Sequence, residues 1–372
     1  MEETLYEFWL MNIEGIGPRT VNKLIEYAGS AKEIWHLNDS QLASLKLDKT
    51  KREAIVRSRN EENILKSYKC LSEKGVTFIS QNSSLFPEKL RNIHQPPKAL
   101  YLRGRLPDPQ KLSIAIVGAR SCSEYGRYVA RKISAHLAMQ GFQVISGLAQ
   151  GIDVISQKAA LESHGYSLGV LGCGVDICYP AENRETYNRL VSNGGIISEY
   201  APGTPPKAAF FPMRNRIISA MSDIVVVIEA REKSGSLITA DLALEQGKEI
   251  YALPGRVTDS LSHGCNRLIR QGAGIILSPE EFIGDLAVNY SVHKDILSPT
   301  DDNYEPGNLF ANKTGLSRSE RILLDMIDFN PVNISQLQAQ SSLPFPELLD
   351  TLMTLTVKGL VSQNGSYYSL NS

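Results

Sequence analysis

Short apolar runs alternate with amphipathic segments between residues 76 and 285, and this alternation limits the fold more than any other feature of the chain. Segments 125–140, 153–162 and 236–246 have helical periodicity. Strands are predicted, in chain order, at VTFIS (76–80), ALYLRG (99–104), SIAIVG (113–118), FQVISG (142–147), SLGVLG (167–172), GIISEY (195–200), DIVVVIEA (223–230), EIYALPG (249–255) and GIIL (274–277). Buried strands that alternate with helices predict an α/β fold with a doubly wound, mostly parallel sheet of the Rossmann-like kind.

Residues 1–70 are predicted to form a small helical domain. Within it, residues 13–20 (IEGIGPRT) place two glycines for a tight turn before Pro18, where a helix can begin. This pattern is typical of a helix-hairpin-helix or SAM-like domain, whose second helix can hold a DNA phosphate at its N-terminus. Because residues 1–70 contain 11 Lys/Arg and 11 Asp/Glu, no basic face is evident. We therefore favour a packing module that has lost contact with DNA.

The C-terminal part is predicted to be a linker, 288–317, followed by a winged-helix domain, 318–372. Residues 320–329, 334–341 and 346–358 are predicted helices, and 359–370 are a predicted hairpin that turns at Asn364-Gly365. Residues 317–372 hold three Lys/Arg and five Asp/Glu, with Glu347 and Asp350 at the start of the third helix. Duplex phosphates would meet these carboxylates, so a protein-interaction or packing module is favoured over a reader of duplex DNA.

Composition excludes several classes of protein. Five cysteines, an odd number without a CxxC pair, are typical of reduced thiols and predict neither a disulfide framework nor a metal site. No apolar run approaches the ~20 residues of a membrane span, and the N-terminus lacks the basic region of a secretory signal, so we expect a cytoplasmic protein that does not contact a membrane. A net charge of −1 still permits a local basic groove, since affinity for nucleic acid depends on the few cations that reach phosphates.

Ligands of a doubly wound sheet bind at the C-terminal ends of its strands. The first such loop, after 113–117, has Gly118 and Arg120 but no GxGxxG, so it favours a phosphate attached to a bulky group over a dinucleotide cofactor. In the second loop, Ser146, Gly147 and Gly151 are expected to leave backbone N–H groups open to an anion, and Asp153 is expected to cap the next helix. Cys173 in the third loop fits a small buried residue better than a nucleophile.

The fourth and fifth loops carry most of the predicted site. Residues 202–216 combine cations with aromatic rings, the two components of single-strand recognition. One of the two phenylalanines and one of the two arginines there are expected to be structural. The candidate residues of these two loops are Lys207, Phe210, Phe211, Arg214, Asn215, Arg216, Lys233, Ser234 and Gly235.

The strand-end loops together resemble the DprA/Smf family. The motifs GAR…YG, SGLAxGID, LGxGxDxxYP, ISEYxPGTPP, FPxRNRIIS, SGSLITA and ALPG occur here in order over about residues 76–285. The resemblance implies that residues 71–287 are an extended Rossmann-like domain that binds single-stranded DNA without catalysis. It further implies a homodimer that protects incoming strands and loads RecA recombinase on them in natural transformation. The family's phosphate-binding arginine falls on Arg120, and its basic and aromatic loop on 207–216.

The chain departs from the family pattern in two places. Residues 155–157 (ISQ) replace a segment that has a histidine in many members. Ala181 replaces a lysine of some members, and this second change lowers the positive charge expected at the edge of the DNA groove near residue 181.

Two other functions stay open. Related Rossmann proteins that cleave nucleoside phosphates have a catalytic glutamate where this chain has Ala240 and Asp241. A sensor of free nucleotides is the second alternative, whereas an ATPase would need a GxxxxGK[ST] motif, which does not occur. No cofactor is expected.

Residues 266–277 end the predicted sheet with an apolar strand. An apolar edge strand invites pairing with a second copy, so this segment is the predicted dimer interface. The alternative is that the preceding helix or the linker covers the edge.

Overall fold

The computed structural model describes residues 1–290, 316–327 and 331–370. They divide into two compact units: residues 1–121 with 130–286, and residues 122–129 with those described after 286. The predicted boundaries at residues 70, 287 and 317 stay predictions, and most of the predicted linker lies outside the described residues.

Six short helices begin the first unit. They are α1 (Glu3–Met11), α2 (Pro18–Ala28), α3 (Ala31–His36), α4 (Asp39–Ser44), α5 (Lys49–Arg57) and α6 (Glu61–Glu73). The glycine turn of the predicted hairpin is formed at Gly15, whose φ of 79° is strained for any other residue, and α2 begins at Pro18 as expected.

A nine-stranded sheet is the centre of the first unit. Its strands lie in the order β1-β2-β6-β5-β4-β3-β7-β8-β9. The two pairs at the β1 edge are antiparallel, because β1 and β6 each run antiparallel to β2. Every pair from β6 to β9 is parallel. The strands are β1 (Thr77–Ser80), β2 (Ala99–Gly104), β3 (Ser113–Val117), β4 (Gln143–Ser146), β5 (Ser167–Val170), β6 (Gly195–Ser198), β7 (Ile224–Val227), β8 (Glu249–Ala252) and β9 (Gly274–Ile275).

Helices connect the parallel strands. They are α7 (Glu124–Met139), α8 (Ile152–Glu162), α9 (Arg184–Asn193), α10 (Phe210–Met221), α11 (Gly235–Glu245) and α12 (His263–Arg270), and α13 (Pro279–Asn289) follows the last strand. Strands β3, β4, β5, β6 and β7 are buried at every position, which explains why their sequences are continuous apolar runs. The predicted mostly parallel Rossmann-like α/β sheet is confirmed, as are the positions of all nine strands.

The N-terminal helices pack onto the edge of the sheet through one hydrophobic cluster. The ring of Phe8 in α1 meets Phe78 in β1 edge-on at 5.3 Å, and the Tyr101 hydroxyl donates to the Asn12 side chain over 2.9 Å. The helices are therefore anchored to the sheet by aromatic packing and a buried polar contact.

Among the residues described after position 315, the second unit has three helices and three strands. These are α14 (Arg318–Met326), β10 (Val332–Asn333), α15 (Ile334–Ser341), α16 (Phe345–Val357), β11 (Val361–Asn364) and β12 (Tyr367–Leu370). The strands lie in the order β10-β12-β11 around a leucine-rich core. Because Asn364 pairs with Tyr367, the hairpin turns at residues 365–366, one residue later than predicted. The winged-helix assignment stays a prediction.

No helix among the described residues is both long enough and apolar enough to cross a membrane.

Candidate functional site

A cleft of about 730 Å³ lies at the C-terminal ends of β3 and β7. The chain proceeds from β3 through β4 and β5 to β6 on one side, then returns to the other side of β3 with β7. This is the point where strand order reverses, the usual ligand position of a doubly wound sheet. Its walls are residues 117–121 at the end of β3, residues 231, 233–236, 238 and 239 after β7, and the start of α10.

Four cations line this cleft: Arg120, Arg214, Arg231 and Lys233. Asp153 is the one carboxylate among the described lining residues. The helices α8, α10 and α11 begin beside the same space, and a helix N-terminus carries partial positive charge. The cleft therefore favours an anion.

Arg214 forms the floor of the cleft. Its side chain is buried, and Nη1 donates to the Val170 carbonyl over 2.7 Å while Nε is buried without a hydrogen-bond partner. Burial lowers the pKa of Arg214, and the nearby charge of Arg120 lowers it further, whereas the charge of Asp153 raises it. A guanidinium starts so far above neutral pH that it stays charged, so Arg214 gives the floor a fixed positive charge.

Asp153 does not cap α8 as the sequence suggested. Gly151 is the N-cap residue, and the Asp153 carboxylate instead accepts from the Gly147 N–H over 3.2 Å. Burial raises the pKa of this carboxyl, and the charge of Arg214 opposes the rise. Asp153 thus joins the second strand-end loop to the charged floor.

Phe211 and Tyr179 form the aromatic wall of the cleft. Their ring centroids are 5.6 Å apart with planes 31° from parallel, and the guanidinium carbon of Arg120 lies 5.8 Å from the Phe211 ring. Tyr179 is exposed and Phe211 is half-buried. An aromatic face and a fork-shaped cation are thereby held side by side, which suits a base beside its phosphate.

Phe210 faces a different direction from Phe211. It stacks on Tyr200 with centroids 4.1 Å apart, and Lys207 Nζ lies 5.6 Å from its ring. Neither Phe210 nor Lys207 is among the described residues that line the cleft. Of the two phenylalanines, Phe210 is therefore the structural one. Lys207 lies on the exposed rim.

Arg216 is a buried partner of Glu199, not a surface cation. Its Nη2 lies 2.5 Å from Glu199 Oε2, and both side chains are largely shielded from water. Burial raises the pKa of Glu199, with Arg216 opposing. We expected one of Arg214 and Arg216 to be structural, but both side chains are buried. Of the two, only Arg214 lines the cleft.

The glycines of the second loop make room for neighbouring atoms. A Cβ on Gly147 would lie 1.8 Å from Nη1 of Arg214, and one on Gly151 would lie 2.3 Å from the Ala119 carbonyl. The Gly147 N–H is occupied by Asp153, and the fully buried Ser146 donates its hydroxyl to Ile116 over 2.6 Å. The expected anion nest is therefore wrong at the buried Ser146 and at Gly147, whereas its Gly151 part stays a prediction.

The fifth loop meets the other wall of the cleft. Ser234 is the N-cap of α11, whose first residue is Gly235, and Asn215 of α10 donates to the Gly235 carbonyl over 3.3 Å. Lys233 extends from the same loop as an exposed cation.

In the third loop Cys173 is buried, which raises the pKa of its thiol to about 11.

The structure brings eight of the fourteen candidate residues together. They are Gly118, Arg120, Phe211, Arg214, Asn215, Lys233, Ser234 and Gly235. Sequence reasoning missed Tyr179 and Arg231, although both stand in strand-end loops. An aromatic residue after β5 and a second cation two residues before Lys233 were the signals that could have identified them.

The central part of the chain, residues 77–287, matches the family model described as DNA recombination-mediator protein A. Protein Smf of Synechocystis is 30% identical over 96% of this chain and 96% of its own length. DNA processing protein DprA of Bacillus subtilis is 39% identical over 58% of this chain and 72% of its own length. Neither relative carries the name of an enzyme.

Two solved structures are also similar. DNA processing protein A from Streptococcus pneumoniae superposes with a TM-score of 0.65 at 29% identity, over 77% of this chain and 99% of that one. DNA processing protein A from Helicobacter pylori, described for its single-stranded DNA binding mode, gives a TM-score of 0.52 at 31% identity, over 57% of this chain and 96% of that one.

Proposed function

Because this chain belongs to the DNA recombination-mediator protein A family, the DprA/Smf proteins, we propose that it binds single-stranded DNA in the cleft at the C-terminal ends of β3 and β7. One observation carries the proposal: four cations and the Phe211–Tyr179 pair line the same space. Cations for phosphates and aromatic faces for bases are the components of single-strand recognition. The single-stranded DNA binding described for the Helicobacter pylori relative supports it.

In this proposal the phosphate contacts belong to three side chains that reach solvent, Arg120, Arg231 and Lys233. Arg214 acts from below as a fixed charge, because its own hydrogen bond already goes to Val170. Phe211 and Tyr179 offer their faces to a base. Stacking tolerates every base, so we expect binding with little dependence on sequence.

The cleft is better suited to binding than to catalysis. Its one carboxylate among the described lining residues, Asp153, is buried and accepts from Gly147. Asp241, near the position of the catalytic glutamate in nucleoside-phosphate-cleaving relatives, is exposed on α11 and is not among those lining residues. A general acid or base must reach the reacting atoms, and neither carboxylate has that position.

The finer role follows from the family. We infer that the protein acts in the cytoplasm, protects incoming single strands and loads RecA recombinase on them in natural transformation. The support is the description of the matching family as recombination mediators. A RecA strand-exchange assay on coated single strands, with and without this protein, tests the role.

A homodimer through the β9 edge is the matching proposal for assembly. Ile275 and Leu277 at this edge are 46% and 66% exposed, which is high for apolar residues at the end of a sheet. Two linked clefts would raise the effective concentration for one long strand. Ile275→Glu should give a folded monomer with less cooperative binding, and a wild-type protein that light scattering finds monomeric at micromolar concentration would exclude the dimer.

Titration of labelled oligonucleotides at several salt concentrations tests the binding proposal. Single strands should bind more tightly than duplexes of the same sequence, and affinity should fall with salt because counterions are released. Free mononucleotides that bind as tightly as oligonucleotides would support the sensor instead. Conversion of a nucleotide to products would support the enzyme.

A further inference from the structure

The outer side of α16, in the second unit, carries a row of apolar side chains. Four such residues follow one another at intervals of four, which places them along one side of the helix: Phe345, Leu349, Met353 and Val357. Phe345, Met353 and Val357 are 43%, 65% and 87% exposed, and Leu349 is half-buried. This row, named the α16 stripe, extends about 18 Å along the helix axis.

The core of the second unit is complete without the stripe. Leu348, Leu352 and Leu355 of the same helix are fully buried in the leucine-rich core. A helix that packs on a core through one side normally has polar residues on its outer side. Because α16 is apolar on its buried side and again along the stripe, the stripe is a contiguous surface that another apolar face can cover.

Acidic side chains border the stripe. Glu347 and Asp350 are both exposed and three residues apart, so they lie side by side on the helix surface. Asp350 also adjoins Met353 of the stripe, again three residues away. Residues 345–357 contain no Lys or Arg, and Lys358, the next residue, is bound to Glu320 over 2.6 Å. The border of the stripe is therefore negative.

The charge of Asp350 is available to a partner. Glu347 lies in the first turn of α16, where a carboxylate stabilises a helix, and it accepts from the Ser319 hydroxyl over 2.5 Å. Asp350 lies in the second turn and forms no ion pair with any residue that the structure describes. The exposed Arg318 and Arg321 belong to α14 and do not pair with it.

These charges decide which partner fits the stripe. The phosphates of duplex DNA or of an anionic membrane would meet the carboxylates beside it. Two copies paired through the stripe, whose midpoint is residue 351, would bring their Asp350 side chains to nearly the same height, where like charges repel. A helix that lays an apolar side along the stripe and places cations beside it satisfies both the shape and the charge.

We propose that the α16 stripe docks an amphipathic helix of a partner protein whose apolar side is bordered by lysines or arginines. Residues spaced by three and four along that helix would contact Leu349, Met353 and Val357, and a cation would reach Asp350. The exposed thioether of Met353 adapts to partner side chains of different shapes. This surface is separate from the single-strand cleft and does not depend on the function proposed for it.

Two synthetic helical peptides of about 15 residues, long enough to cover the stripe, test the proposal on the full-length protein. Both have leucines along one side, and the flanking residues are lysines in one peptide and glutamates in the other. In anisotropy titrations the lysine peptide should bind about tenfold more tightly than the glutamate peptide. The variant Asp350→Lys should remove or reverse that preference.

Met353→Ser/Val357→Ser should weaken binding of the lysine peptide at least about tenfold, because each burial of such a side chain contributes that much or more. Leu85→Ser/Val288→Ser is the matched control, since Leu85 and Val288 are 62% and 78% exposed and lie outside α16. The control should bind like the wild type, and thermal unfolding should show every variant folded.

Several results would overturn the proposal. The first is a wild-type protein that binds neither peptide, and the second is equal loss of affinity in the stripe variant and its control. An unchanged preference in Asp350→Lys would remove the role of the charge. A changed oligomeric state of the stripe variant without peptide would assign the stripe to a second copy, and a lower affinity for single- or double-stranded DNA would assign it to nucleic acid. The cleft proposal would survive the first two results, since its own test is single-strand binding.

Discussion

Phe211 and Phe210 are neighbours in sequence that the structure assigns to different tasks. Phe211 lines the cleft beside Tyr179 and Arg120, whereas Phe210 stacks on Tyr200. Replacement of Phe211 by alanine should therefore remove a stacking surface for a base. Replacement of Phe210 should remove packing between the loop and Tyr200, and leave the cleft in place.

The magnitude follows from the type of contact. Loss of one base–aromatic stack costs about 1–3 kcal/mol, which raises the dissociation constant about 5- to 140-fold. Because a phenyl ring carries no charge, the dependence of affinity on salt should not change. Phe211→Ala should thus shift the whole line of log affinity against log salt and keep its slope.

Fluorescence anisotropy with a labelled single strand at several salt concentrations measures both quantities. Phe210→Ala is the control, and a thermal unfolding curve for each variant shows whether the loop remains folded. We expect Phe210→Ala to lower the unfolding temperature and to bind nearly as tightly as the wild type. The assignment is refuted if Phe210→Ala loses affinity and Phe211→Ala does not, with both variants folded.

Three further results are expected. Arg120→Ala should lower the salt slope for single-strand binding by about 0.7, one phosphate contact, and an unchanged slope in anisotropy titrations would contradict its phosphate role. Gly147→Ala should destabilise the fold by about 1–3 kcal/mol in chemical denaturation, since its Cβ would lie 1.8 Å from the buried Arg214 guanidinium. Gly17→Ala, whose Cβ would meet nothing within 4 Å, is the control, and equal stability of the two variants would argue against the clash. Burial raises the pKa of the Cys173 thiol to about 11, so little of it should be thiolate at pH 8. Iodoacetamide should therefore modify Cys173 on the order of 100-fold more slowly than a free cysteine. Equal modification rates, measured by mass spectrometry, would disprove the burial.

The strands were predictable because parallel strands covered on both faces must be apolar along their whole length. Runs such as residues 113–117 and 224–227 leave few alternatives, and the order of strand-end loops then located the cleft. The general position of the site therefore follows from the sequence alone.

The roles of individual side chains in the fourth loop did not follow, since they depend on where α10 begins. The helix begins at Phe210, so Phe211, Arg214 and Asn215 have the i, i+3, i+4 spacing of one helix face, and all three line the cleft. If residues 210–216 are taken to be a loop, their sequence gives no reason to prefer Phe211 to Phe210 as the residue that lines the cleft. A correct helix start would have selected the right phenylalanine.

Contacts between distant loops were equally inaccessible to sequence reasoning. Gly147 reads as an open backbone position, but its small size is needed by Arg214, 67 residues later in the chain. Arg216 reads as a surface cation until Glu199 is seen beside it. Such pairings are set by tertiary packing, and no local pattern records them.

Photochemical cross-linking of the wild-type protein to an oligodeoxythymidine tests most directly whether a single strand lies in the cleft at the C-terminal ends of β3 and β7. Tyr179 and Phe211 present aromatic faces there, so mass spectrometry of the digested complex should find thymine attached to the peptides that contain them. Excess unlabelled single strand should abolish these adducts. Efficient cross-links confined to other parts of the chain, such as α16, would contradict the account.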